Sequence, residues 1–180
     1  MKAQQFSGPA WSVPVTVAEI PEAGQRLDLI ADHHAREAIA KVAGLAALPR
    51  LEVALDLTRE GAEGVRLAGR VQATVVQNCV VTLEPIESAI DEAVDLVFLP
   101  EVPASTDADA AVLSVEVDDP PEVLKDGVVD VGAVATEFLL LGIDPYPRKP
   151  GAVFEAPVAD DPSSHPFAAL AALKRGNTSE

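Results

Sequence analysis

The strongest constraint on this 180-residue chain is a change of hydrophobic period at residue 51. Leu51, Val53, Leu55 and Leu57 alternate with more polar neighbours. After "TREGAEG" (58–64) the same period resumes at Val65, Leu67, Gly69, Val71, Ala73 and Val75. Successive strand side chains point to opposite faces, so the pattern predicts a long β-hairpin with one buried face. Beyond the "NCVVTLEP" turn (78–85), Ile86, Ser88, Ile90, Glu92, Val94, Leu96 and Phe98 alternate again, with Glu87, Asp91 and Asp95 between them. A third antiparallel strand is expected there.

The flanks read differently. "WSVPVTVA" (11–18) alternates but contains Pro14, which lacks an N–H for a ladder and so predicts an edge strand. "RLDLIAD" (26–32) predicts a short strand, after which Asp32 caps a helix with Ala35, Ala38, Ile39 and Val42 at helical spacing and Gly44 as its stop. "DVGAVATEFLLLGI" (130–143) predicts a second helix, capped by Asp130, ended by Gly142 and Pro145, and apolar on most sides, hence the more deeply buried. Between sheet and helix, residues 101–126 carry eight acids against Lys125 and read as a solvated loop interrupted by one strand, "VLSVEV" (112–117). "DPYPRKPG" (144–151), with three prolines, is extended. The fold class is therefore α+β: an antiparallel sheet, hairpin plus third strand, packed on two helices. Residues 1–155 form this domain, and 156–180 form a linker and a short C-terminal helix, "HPFAALAALKRG" (165–176). A helix so short is marginal alone in water and needs something to dock on, either its own domain or a partner.

Charge narrows function. The chain has 13 basic and 29 acidic residues, a net charge of −16, which repels phosphate backbones. Aromatic residues make up 4% of the chain, leaving few platforms for base stacking. A single cysteine excludes an internal disulfide framework and fits a reducing compartment. With neither an apolar signal core near the start nor a stretch approaching ~20 apolar residues, the expectation is a soluble cytoplasmic protein.

The sequence holds little that could carry catalysis. Cys79 would need a base to act as a nucleophile, and His33, His34 and His165 stand in no recognisable cysteine-hydrolase context. One Cys and three His do not supply the paired spacings of a structural zinc site. Cys79 reads as a buried structural thiol. The glycines of "REGAEG" and "KDG" are turn signals, not phosphate loops. Neither a catalytic residue, a metal ligand nor a cofactor site is expected. Two basic spots break the acidic field, Arg148 with Lys149 and Lys174 with Arg175.

Three segments in order, "VQNCVVTLEPI", "DGVVDVGAVATEFLLLGIDPYPRKPG" and "HPFAALAALKR", resemble the YceD family, the large ribosomal RNA subunit accumulation proteins of bacteria and plastids. Many family members carry a Cys-x-x-Cys where this chain has Val76-Gln77-Asn78-Cys79. By that resemblance Cys79 is the retained half of a knuckle-like turn, filled by packing and not by metal. The resemblance implies a non-enzymatic factor needed for 23S ribosomal RNA to accumulate in ribosome biogenesis. It also singles out Glu137, Asp144, Tyr146, Pro147, Arg148, Pro150 and Gly151, with Pro166, Phe167 and Leu170 in the tail. Joined by Lys149, Lys174 and Arg175, these form the expected partner-binding set. The acidic body favours a basic protein partner, most simply a large-subunit ribosomal protein before it reaches RNA. The alternative is direct RNA binding through residues 146–149 and 167–175.

Overall fold

Three long strands carry the fold. The computed structural model describes residues 9–100 and 121–154. In it β3 (Ala47–Glu60), β4 (Gly64–Asn78) and β5 (Pro85–Pro100) run antiparallel in succession. Register explains the alternation: Leu51 faces Ala73, Val53 faces Val71, Leu57 faces Leu67, and Ala73 and Gly69 face Ile90 and Val94 on the far side. All these apolar side chains fall on one face, and Leu51, Val53, Leu55, Leu57, Leu67, Val71 and Val75 are buried there. At about 1.5–3 kcal/mol for each large apolar side chain removed from water, this face is the main source of stability.

β2 (Gln25–Ile30) extends the sheet by pairing antiparallel with β3, and β6 (Glu122–Leu124) closes the other edge parallel to β5. The sheet is thus five-stranded and mixed, in the order β2-β3-β4-β5-β6, not the three-stranded antiparallel sheet expected. β6 falls inside the span read as acidic loop. Three residues after a Pro-Pro pair are too few to show a period. β1 (Pro14–Thr16) does not edge the main sheet. It forms a separate two-stranded ribbon with β7 (Val128–Asp130). The expected strand at 112–117 and the expected C-terminal helix lie outside the described residues.

Helix α1 (His33–Ala43) starts at Asp32, whose carboxylate accepts from the Ala35 N–H at 2.8 Å, and ends at Gly44 in the left-handed conformation. It buries Ala35, Ile39 and Ala40, while Val42, expected on the apolar face, is exposed. Helix α2 (Val131–Gly142) follows β7 directly. Asp130 accepts from the Ala133 N–H at its start and also from the Val13 N–H and Ser12 hydroxyl, tying the N-terminal segment across the first turn. A side chain at Gly132 would meet the Trp11 carbonyl at 2.9 Å, so the crossing requires glycine. Both helices contribute to the core formed by the inward face of the sheet. None of the described helices is long and apolar enough to cross a membrane.

By its internal packing the chain divides into residues 1–149 and 150–180, and every element above belongs to the first unit. In the second, Pro150 and Gly151 form a turn with a positive φ at Gly151, and Val153 and Phe154 are exposed.

Candidate functional site

The β4–β5 connection is built around the sulfur of Cys79. The Cys79 N–H donates to the Glu84 carbonyl at 2.8 Å and its carbonyl accepts from the Leu83 N–H at 2.9 Å, closing residues 79–84 into a tight turn in which Leu83 takes a positive φ. The side chain is fully buried. Its Sγ accepts from three backbone N–H groups, those of Val81, Thr82 and Lys149, each at 3.4 Å. The first two are local. The third reaches across from the proline-rich segment that follows α2.

Further bonds bind the same two segments. Val80 N–H donates to the Pro147 carbonyl at 2.9 Å, the Gln77 side-chain amide donates to the Asp144 carbonyl at 2.7 Å, and the Lys149 ammonium lies 2.8 Å from a Glu84 carboxylate oxygen. Asp144 in turn accepts from the Tyr146 N–H at 2.8 Å, and Pro147 is buried. The extended run 144–149 is therefore docked on the turn, with Tyr146 and Arg148 left outward and exposed.

Electrostatics follow this geometry. The N–H of Lys149, then the hydroxyl and N–H of Thr82, stabilise the thiolate and hold the Cys79 thiol down at about 6, against desolvation that pulls it upward. Lys149, with Thr82, keeps the Glu84 carboxyl below its ordinary value, and Glu84 raises Lys149. Cys79 is thus more than core filler, the reading the sequence suggested. It stands outside the main apolar cluster and serves as the shared acceptor of a backbone nest. His33 and His34 are exposed at the start of α1, where His33 lies against Glu37, whereas the Lys149 ammonium interacts electrostatically with the Cys79 thiolate. The arrangement acts as a clamp.

Of the expected binding set, Asp144, Tyr146, Pro147, Arg148 and Lys149 come together at this clamp. Pro150 and Gly151 are exposed in the second unit, and Pro166, Phe167, Leu170, Lys174 and Arg175 lie outside the described residues. Glu137 stands elsewhere, exposed on α2 where that helix borders a groove of about 620 Å³ against β5, β6 and β7. As expected, α2 is the more deeply buried helix, burying six residues against the three of α1, but the groove leaves part of its apolar surface uncovered. Val131, Val134, Ala135 and Leu139 are buried, but Leu141 is 78% exposed, Leu140 is exposed and Phe138 is half-buried. The signal was present in the sequence: a helix apolar on more than one side has more apolar surface than one sheet covers.

A family model described as "Large ribosomal RNA subunit accumulation protein YceD" matches residues 67–174, well over half of the chain, from β4 through the clamp and onward. No curated protein and no solved structure matches significantly.

Proposed function

Because the chain belongs to the YceD family, we propose that it is a non-enzymatic cytoplasmic factor of ribosome biogenesis, needed for 23S ribosomal RNA to accumulate, and that it works by binding a basic protein. The observation that carries this reading is the family match, which spans the clamp and α2. A net charge of −16 supports a basic protein as the partner over RNA itself, since phosphate contacts need concentrated cations. A large-subunit ribosomal protein on its way to RNA has the required chemistry. Direct RNA binding through 146–149 is disfavoured by the Lys149–Glu84 pair, which leaves Arg148 as the unpaired cation of that stretch among the described residues.

Complementation tests the proposal. In a strain lacking its own copy of the gene, expression of this chain restores the ratio of 23S to 16S ribosomal RNA. A folded, expressed chain that leaves the ratio unchanged overturns the role. Filter binding at two salt concentrations separates the partner classes: retention of bare 23S fragments that weakens steeply with salt supports RNA binding and counts against the protein partner.

A further inference from the structure

We propose that the groove beside α2 receives a short amphipathic helix of a partner protein, one with apolar anchors three and four residues apart and lysines or arginines at its edges. The inference rests on the proposed function only in taking the partner to be a basic protein. The location comes from the groove itself.

Along α2, Val134, Glu137, Phe138 and Leu141 recur at helical spacing on the groove side, a stripe about 10 Å long at 1.5 Å per residue. Across from it stand Val123, half exposed, and Val128, with Phe98 and Leu96 of β5 also lining the cleft. Val134 anchors this stripe in the core and Phe138 is half-buried, while Leu141 at its end is exposed; Leu141 facing the half-exposed Val123 and Val128 leaves apolar surface that contributes little to the fold and marks a contact surface. Two turns of helix match the length over which i, i+3, i+4 and i+7 anchors bind such a groove.

Charge selects the occupant. Glu122 and Glu137 border the cleft, both are exposed, and neither has an ion-pair partner among the described residues. The third acid, Asp130, is spent on the α2 cap, and Lys125 is the one cation of the lining among the described residues. Free carboxylates flanking an apolar seam suit cations flanking an apolar helix and repel an acidic one, including a second copy of this chain.

The test uses the full chain and a synthetic amphipathic helix with leucines at the stated spacing and lysines on its flanks. Titration calorimetry at low and physiological salt is the readout, with a lysine peptide lacking leucines as control. We expect binding of the leucine peptide that weakens with salt, a loss of tenfold or more in Leu141→Glu and in Glu122→Lys/Glu137→Lys, and melting temperatures unchanged in both variants. In cells, both variants then fail to restore 23S ribosomal RNA. The inference is overturned if wild type ignores the peptide, if Leu141→Glu binds it equally well, or if the variants bind poorly yet rescue fully. A marked fall in melting temperature on Leu141→Glu shows instead that this chain covers the stripe itself, and a dimer converted to monomer shows a second copy there. Either result also overturns it. Failure of wild type to rescue, with peptide binding intact, removes the proposed function and leaves the groove.

Discussion

The outward face of the sheet and the outward side of α2 are both solvent-facing surfaces of the same unit, yet they are built on opposite terms. On the sheet, Arg66 forks onto Asp95, Arg70 contacts Asp91, Arg50 forks onto Glu52 and Arg26 lies between Asp28 and Asp56. These cations are matched to acids on the same or a neighbouring strand, so the arginine charges of this face are satisfied from within, with Ile30 at its β2 edge the exposed apolar exception. On α2, by contrast, Leu140 and Leu141 are exposed and Phe138 is half-buried, and Glu122 and Glu137, which border the groove with Leu141, have no ion-pair partner among the described residues. A surface whose groups already have partners offers little to another molecule, whereas one that leaves apolar area and charge unmatched has an interaction in reserve.

The largest effect expected tests the frame that holds these two surfaces apart. A Cβ at Gly69 would collide with the Ala54 carbonyl oxygen of the adjacent strand, so Gly69→Ala forces β3 and β4 apart in mid-ladder. We expect loss of folded protein, read as insolubility or absence of a cooperative melt. Next come two truncations on one helix. Leu139→Ala removes a fully buried side chain and costs about 2–5 kcal/mol, while Leu141→Ala, two residues on, changes stability by less than about 0.5 kcal/mol. Urea denaturation of the pair measures the asymmetry of α2 directly. Equal costs would show that the two sides of the helix are alike.

The same contrast separates what was legible in the sequence from what was not. The alternation from Leu51 to Phe98 carried its own register, because a half-buried strand must segregate its side chains by parity, and the buried set in β3 and β4 follows it. The caps at Asp32, Gly44 and Asp130 were legible for a local reason, since each answers to backbone groups within a few residues. β6, the β1–β7 ribbon and the docking of 144–149 on the turn were not, because they depend on contacts between residues tens of positions apart. The third donor to Cys79, the N–H of Lys149, belongs to this class. Sequence spacing could place Cys79 in a turn and could not show what met it there.

An intermediate effect is expected at that turn, which shares the self-satisfied character of the sheet face but achieves it by burial. Cys79→Ala removes the acceptor of three N–H groups and should lower the melting temperature clearly, with Cys79→Ser recovering part of the loss. The sign with pH is fixed by the depressed thiol. Its value near 6 in the fold lies below the ordinary 9.0, so folding favours the thiolate. That contribution is fully present above about pH 9, shrinks as pH falls, and is gone below about pH 6. The gap in melting temperature between wild type and Cys79→Ser should therefore widen from pH 6 to pH 9. A constant gap means the sulfur acts by packing alone.

The smallest effect is expected on the sheet face, and its smallness is the point. Arg66, Asp95, Arg70 and Asp91 are each 48–59% exposed, so solvent and salt screen their attraction, and holding long side chains in place offsets part of the gain. Their bonds to arginine nonetheless hold the Asp95 and Asp91 carboxyls below the usual carboxylate range. A depressed carboxylate stabilises the fold above its unfolded pKa, and that stability is lost as pH falls through the folded value. Arg66→Gln/Arg70→Gln should thus melt almost with wild type at neutral pH and physiological salt. A difference should emerge at low salt and disappear again once acid has protonated both partners. If instead the double variant is badly destabilised at neutral pH in physiological salt, the ion pairs hold the sheet together and the outward face is structural. If it is stable but gains affinity for basic peptides through its freed Asp91 and Asp95, then pairing is what keeps this face quiet, and Glu122 and Glu137 owe their availability to having no such arginine partner among the described residues.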